Sequence, residues 1–237
     1  MSSHISAGMM TYPVNGATTS GYLARPSDDR PRAGLVVLQE WWGLERHMKE
    51  LTDRFAEEGF VALTPDLYHG QVTADPAEAQ RLSRGLNREQ AVREIVAAIR
   101  YLKAQPYCTG KVGTVGYCMG GGLSMATACA SPEVNAASTY YGGLPNPVDL
   151  VQSLAGPLQA VHAGRDYGDP VERARQLREA MARHGKALEE HTYPNSQHAF
   201  LNDTHEAYDP EAAQDAWRRT LDFFRRHLSS SSSVVVP

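Results

Sequence analysis

The stretch VGTVGYCMGGG, Val112 to Gly122, decides how the rest of the chain is read. Its first half is an apolar, partly β-branched run, the pattern of a strand buried on both faces. Its second half is a glycine turn with one cysteine, Cys118, at the centre. Gly116-Tyr117-Cys118-Met119-Gly120 has the form Gly-x-nucleophile-x-Gly, with cysteine where serine is more usual. The flanking glycines let strand and helix approach closely, while the central residue takes a strained conformation that lifts its side chain above the sheet. A helix beginning at Met119 turns its unpaired N–H groups and positive dipole end toward the sulfur, which favours a thiolate. The Met119 N–H is then a natural oxyanion donor. A buried cysteine acting as a small apolar filler is the plainer alternative. Filler needs neither the paired glycines nor a strand-to-helix switch. Cys108, read as a loop residue, and Cys129, read as late in a helix, lack that context and suit filler.

Outward from this turn, strands and helices alternate. Gly34–Glu40 (GLVVLQE) reads as a covered strand, and HMKELTDRFAEEG as a helix with Met48, Leu51 and Phe55 at helical spacing. FVALTPDL is a second strand ending at Pro65, and REQAVREIVAAIRYL a helix with Ile95, Ile99 and Leu102 on one stripe. After the turn come a helix from about Met119 to Ala130 and strands in VNAASTYYGG and PLQAVHAG. A helix in PVERARQLREAMARHG, a strand in ALEEHTY and a closing helix with Trp217, Leu221 and Phe224 in register complete the pattern. Strands separated by helices of this length require parallel crossovers, hence a single-domain α/β fold with a mostly parallel sheet and helices on both faces. The 237 residues, 42% of them hydrophobic, suffice for one full core. The domain is expected over residues 8–228, and residues 229–237, SSSSSVVVP, read as a disordered or appended tail without a catalytic role.

A net charge of −4 argues against a nucleic-acid or polybasic membrane surface. No apolar run approaches the ~18 residues of a membrane span. The N-terminal MSSHISAGMM lacks a secretory pattern, and three cysteines without framework spacing point to a reducing, cytoplasmic compartment. A monomer is compatible with the sequence, and a small molecule is the expected partner.

In sheets of this kind, functional groups collect at the carboxyl ends of the strands. A nucleophilic thiol needs a base and a group that orients the base, in the chain order nucleophile, acid, histidine. AVHAGRDYGDP supplies Asp166 just after a strand, and TYPNSQHAF supplies His198 in the loop after the last strand. Asp169 competes for the acid role, but Pro170 behind it suits it to the N-cap of the next helix. Glu40 ends its strand at the lip of the sheet; a solvated strand-end carboxylate would look the same. Trp41, Trp42, Tyr68, Tyr140 and Tyr141 sit at or just past strand ends, where they could line a pocket or pack the core.

Taken together, VVLQEWWGL, GFVALTPDLY, AAIRYL, KVGTVGYCMGGG, YYG, AGRDYGDP and YPNSQHAFLND resemble the dienelactone hydrolase family of α/β-hydrolases, in that family's order, from about Gly21 to Leu228. The resemblance implies a Cys118–His198–Asp166 triad, with a resting role for Glu40 in holding the thiol or exchanging its proton. It implies a second oxyanion donor at the Trp41 N–H. The chemistry it implies is hydrolysis of an ester or enol-lactone through a thioester, with neither metal nor organic cofactor. One departure stands out. Members acting on dienelactone hold the substrate carboxylate with arginines, one shortly after the histidine, where this chain has Asn202 and Asp203. The segment between Tyr68 and Ile99 offers Arg81, Arg84 and Arg88; Arg81 is the one assigned to the pocket, and a solvated helical face explains all three as well. Without a clamp, uncharged esters are expected to match dienelactone as substrates. A non-catalytic scaffold protein and a redox-sensing thiol are the competing functions.

Overall fold

The computed structural model describes residues 4–229. Of the expected tail, 229–237, all but Ser229 lies outside the described residues, and Ser229 caps the last helix. The centre of the fold is the parallel set β3 (Arg32–Leu38), β4 (Val61–Pro65), β5 (Cys108–Tyr117), β6 (Ala136–Tyr140), β7 (Leu158–Arg165) and β8 (Leu188–Gln197). Successive side chains of a strand point to opposite faces, so a strand covered on both sides must be apolar throughout. β3 shows this: Leu35 and Val37 enter one core, and Val36 and Leu38 the other. Helices α1 (Arg46–Glu57) and α6 (Pro210–Leu228) cover the first face with Met48, Leu51, Phe55, Leu221 and Phe224. The second face is covered by α3 (Arg88–Lys103), α4 (Met119–Ala130) and α5 (Pro170–Arg183), through Ile95, Ile99, Leu123 and Leu177.

Two strands ahead of this set were not expected. β1 (Ile5–Val14) and β2 (Ala17–Pro26) form an antiparallel hairpin that extends the sheet to eight strands, in the order β1-β2-β4-β3-β5-β6-β7-β8. β1 starts at Ile5, ahead of the expected boundary at residue 8. The signal was present: Asn15 and Gly16 both take positive φ, 46° and 85°, as a tight hairpin turn demands. A further helix, α2 (Pro76–Gly85), is capped by Asp75 and led by Pro76. Cys108, read as a loop residue, begins β5 instead; it is buried, and burial raises its thiol pKa.

Register decides where the loops meet. β3 pairs Leu38 with Gly116 of β5, so Glu40 and Cys118 both lie two residues beyond one ladder position. β7 pairs Arg165 with Gln197 of β8, so the residues that follow, Asp166 and His198, emerge side by side.

Candidate active site

Cys118 is the hinge between β5 and α4, at φ 54° and ψ −116°. Such a conformation costs a non-glycine residue about 1–3 kcal/mol and persists only where the surroundings enforce it. Here two glycines do so. A Cβ on Gly116 would lie 2.0 Å from the Gly120 carbonyl oxygen, and one on Gly120 would lie 2.3 Å from the Leu38 carbonyl oxygen. The close approach at Gly120 draws the end of β3, with Glu40 and Trp41 just past it, against the elbow. Met119, the first helical residue, carries an N–H with no acceptor inside α4.

His198 follows β8 directly, and its Nδ1 lies 2.6 Å from Asp166 Oδ1. The Asp166 side chain is 2% exposed and also accepts from Arg173 Nη2 at 2.9 Å and the Tyr167 N–H at 2.7 Å. Burial alone would raise its pKa, but His198, the Tyr167 N–H and Arg173 hold it below the usual carboxylate range. Burial likewise works against a charged His198. The hydrogen bonds with Asp166 and Cys118, and the charges of both, outweigh it and raise the imidazole pKa to about 10. With Nδ1 committed to Asp166, Nε2 is the nitrogen left for Cys118. Asp169 has the other job foreseen for it, accepting from the Glu172 N–H at 2.9 Å as the N-cap of α5.

Glu40 is 3% exposed. Its Oε2 accepts from Asn202 Nδ2 at 2.7 Å, while its Oε1 is buried without a partner. Burial raises its pKa to about 7; the Asn202 bond and the His198 charge pull the other way, and Glu45 adds to the rise. Asn202 is itself held: its Oδ1 accepts from the Thr204 N–H at 3.0 Å and the Thr204 hydroxyl at 2.6 Å, which leaves its amide N–H for Glu40. Sequence reasoning placed Asn202 at a pocket mouth; it is buried behind Glu40. Nothing short of the loop's folded path reveals that contact. Asp203 pairs with His47 at 3.3 Å, and the acids lining the cleft are Glu40 and Glu206.

The aromatic assignments divide. Trp41 and Trp42, in edge contact at 5.1 Å, line a hollow of about 580 Å³ with Cys118, His198 and Tyr167. Tyr141 lies beneath His198, ring to ring at 4.9 Å. Tyr68 is buried with its hydroxyl on Met119 Sδ at 3.2 Å, behind the elbow. Tyr140 is core: fully buried, it donates to the Ala216 carbonyl of α6 at 3.0 Å. Arg81 is also corrected. It pairs with Glu78 at 2.6 Å and borders a separate hollow with Glu94. Arg88, at the start of α3, instead borders a second hollow at Cys118, of about 520 Å³. Two residues were missed altogether. Tyr167, 77% exposed, places its ring 5.0 Å from His198, and His205 stacks on Trp42 at 5.3 Å. The position of Tyr167 directly after Asp166 was its one available signal.

Comparison with known proteins agrees with this geometry. The model of the dienelactone hydrolase family matches residues 19–228. "Protein usf" of Aquifex pyrophilus is 36% identical over 93% of this chain and 99% of its own. A Saccharolobus solfataricus protein, provisionally named a carboxymethylenebutenolidase, is 31% identical over 91% of this chain and 96% of its own. A Klebsiella pneumoniae protein, provisionally a dienelactone hydrolase, superposes with a TM-score of 0.87 at 27% identity, over 94% of this chain and 99% of that one. A dienelactone hydrolase-like promiscuous phosphotriesterase from metagenomic libraries shares the fold, with a TM-score of 0.86 at 24% identity over 95% of this chain and 99% of that one. The chain therefore belongs to the dienelactone hydrolase family, and with it to the carboxylic ester and lactone hydrolases.

Proposed function

We propose that Cys118 is the nucleophile of a small-ester or lactone hydrolase that works through a thioester acyl-enzyme. The observation that carries this reading is the constellation itself: a strained elbow cysteine in one hollow with His198, whose Nδ1 lies 2.6 Å from Asp166. Transfer of the Cys118 proton to His198 gives the thiolate and imidazolium from which attack starts. The thiolate attacks the carbonyl carbon, and the carbonyl electron pair moves onto oxygen, facing the N–H groups of Met119 and Trp41. As the oxyanion collapses, the bond to the leaving oxygen breaks and His198 delivers its proton there. Neutral His198 then takes a proton from water, the resulting hydroxide attacks the thioester, and the thiolate departs. Every atom is accounted for by substrate, water and this chain.

Glu40 tunes the thiol. One of its oxygens is tied to Asn202 and the other is free within the site. A carboxyl titrating near neutrality can exchange a proton with the sulfur, and once ionised it opposes a neighbouring thiolate. The redox-sensor alternative loses ground: burial raises the pKa of Cys108, and that of Cys129 to about 11, so neither is a ready resolving thiol. A reactive free thiol suits a reducing, cytoplasmic setting. No helix among the described residues is long and apolar enough to cross a membrane.

Uncharged esters are the favoured substrates, because the first hollow carries Glu206 and no arginine. A second reading rests on Arg88. It stands at the other hollow, its Nη1 4.0 Å from where a Cβ on Gly122 would be, and could hold the carboxylate of a lactone. The nucleophile is tested by acid-quenching the enzyme with an aryl acetate and weighing the intact chain. One acetyl group should reside on Cys118. Cys118→Ala should remove both adduct and turnover while the fold persists, and Cys118→Ser should be severely impaired. More than a few per cent of the rate remaining in Cys118→Ala would exclude Cys118 as nucleophile.

A further inference from the structure

Cys118 lies where two separate hollows meet. One, of about 580 Å³, contains His198, Trp42 and Tyr167. The other, of about 520 Å³, runs along α4 past Met119, Gly122, Ala126 and Cys129, and its opposite wall is Leu144, Pro145 and Leu150. We infer that the second hollow is an acyl groove, and that the enzyme accepts esters of extended, unbranched, apolar acids well beyond acetate. The inference rests on the reading of Cys118 as nucleophile.

The assignment follows from the geometry of the tetrahedral intermediate. Its carbon carries sulfur, the oxyanion, the leaving oxygen and the acyl chain. The oxyanion faces Met119 and Trp41, and the leaving oxygen must face His198, which protonates it. The alcohol therefore occupies the hollow that contains His198. The acyl chain is directed the opposite way, into the hollow along α4.

The groove has the length and chemistry for such a chain. Met119, Gly122, Ala126 and Cys129 recur at three- and four-residue intervals, so they share one face of α4. From Cys118 to Cys129 the helix advances about 16 Å at 1.5 Å per residue. An extended chain advances roughly 1.3 Å per atom, given a bond of about 1.5 Å at a tetrahedral angle, so about twelve atoms span it; the Cys118 Cβ and sulfur take the first two, and about ten acyl carbons fit. A Cβ on Gly143 would meet no atom within 4 Å, so the wall opposite α4 is open there. Leu150 is a large apolar side chain left 41% exposed. Arg88 is the one charged residue along the groove among the described residues, and its aliphatic stem can lie against a chain while the guanidinium stays in water.

The experiment is a series of 4-nitrophenyl esters from acetate to decanoate, assayed with the wild type, Ala126→Trp, Leu150→Glu and Arg88→Ala. In the wild type kcat/KM should climb by about two- to fourfold per methylene and level off near decanoate. Ala126→Trp puts an indole in the groove and should lower the decanoate-to-acetate ratio by about eight- to sixtyfold, what three lost methylenes would cost. Leu150→Glu changes an exposed site, so it should fold, and it should lower the same ratio by placing a charge against the chain. Arg88→Ala removes an aliphatic stem along with a charge that an apolar chain does not use, so it should lower the ratio by no more than about fourfold, one methylene's worth. A flat or falling wild-type series, with acetate still hydrolysed through Cys118, overturns the groove alone. So does a monoester of a dicarboxylic acid outpacing decanoate in the wild type and losing that advantage in Arg88→Ala. Failure of the wild type to turn over any ester, with no acyl group on Cys118, overturns both readings.

Discussion

Replacing Glu40 with Gln should stabilise the protein in one pH range and not in another. The folded structure buries this carboxyl at 3% exposure and raises its pKa from 4.5 to about 7. Between those two values the folded chain keeps a proton on Glu40 that the unfolded chain has released. The folded state thus binds more protons, so stability falls as pH rises through the window, and the full cost is present above pH 7. At about 1.4 kcal/mol per unit, the wild type should lose about 2.5 kcal/mol between pH 5 and pH 8 on account of Glu40 alone. Glutamine does not titrate there. Its oxygen can still accept from Asn202, and its amide nitrogen would stand where Oε1 now lacks a partner. That fixed penalty is the same at both pH values and cancels in the comparison. Urea unfolding of both proteins at pH 5 and pH 8, under reductant, gives the four free energies required. Measured by melting, the wild type should lose about 5–10 °C relative to Glu40→Gln over that range. Equal differences at the two pH values would refute the argument, because Glu40 would then not change its charge across the window.

The same carboxyl should be visible at the sulfur. Alkylation of Cys118 between pH 5 and 9 should pass an inflection near pH 7 in the wild type that is missing in Glu40→Gln, and superimposable profiles would reduce Glu40 to a packing role. Asp166→Asn should lower kcat on the order of 10³- to 10⁴-fold, since His198 Nδ1 loses a buried carboxylate 2.6 Å away; a loss below tenfold would take the orienting role from Asp166. For substrate charge, aryl acetates should match or exceed dienelactone in kcat/KM, because Glu206 in the cleft costs a nearby carboxylate ~1 kcal/mol. A marked preference for the lactone that Arg88→Ala removes would overturn that ranking and make Arg88 the clamp.

The linear pattern was enough for the parts of this protein that depend on neighbours in the chain. Covered strands, amphipathic helices and their caps are local. So is the cysteine elbow, whose two glycines and central residue lie within five positions. Chain order then singled out Asp166 and His198, because active groups in such sheets cluster past strand ends. The hairpin of β1 and β2 was equally local, with its Asn15-Gly16 turn, and went unread. What the tertiary structure decided is everything that depends on contacts between distant segments. Asn202 lies 162 positions from Glu40, and their 2.7 Å bond exists only because the 198–209 loop folds back over the end of β3. Tyr140 and Tyr141 are adjacent in sequence and pack ring to ring, yet Tyr140, last in β6, reaches the Ala216 carbonyl of α6, while Tyr141, just past the strand at φ 40°, lies beneath His198. Arg81 and Arg88 are indistinguishable as cations in a helical region; the placement of α2 and α3 takes one away from Cys118 and sets the other beside it. Charge and periodicity tell that a residue is polar or apolar, but the direction in which it points is a property of the packed whole.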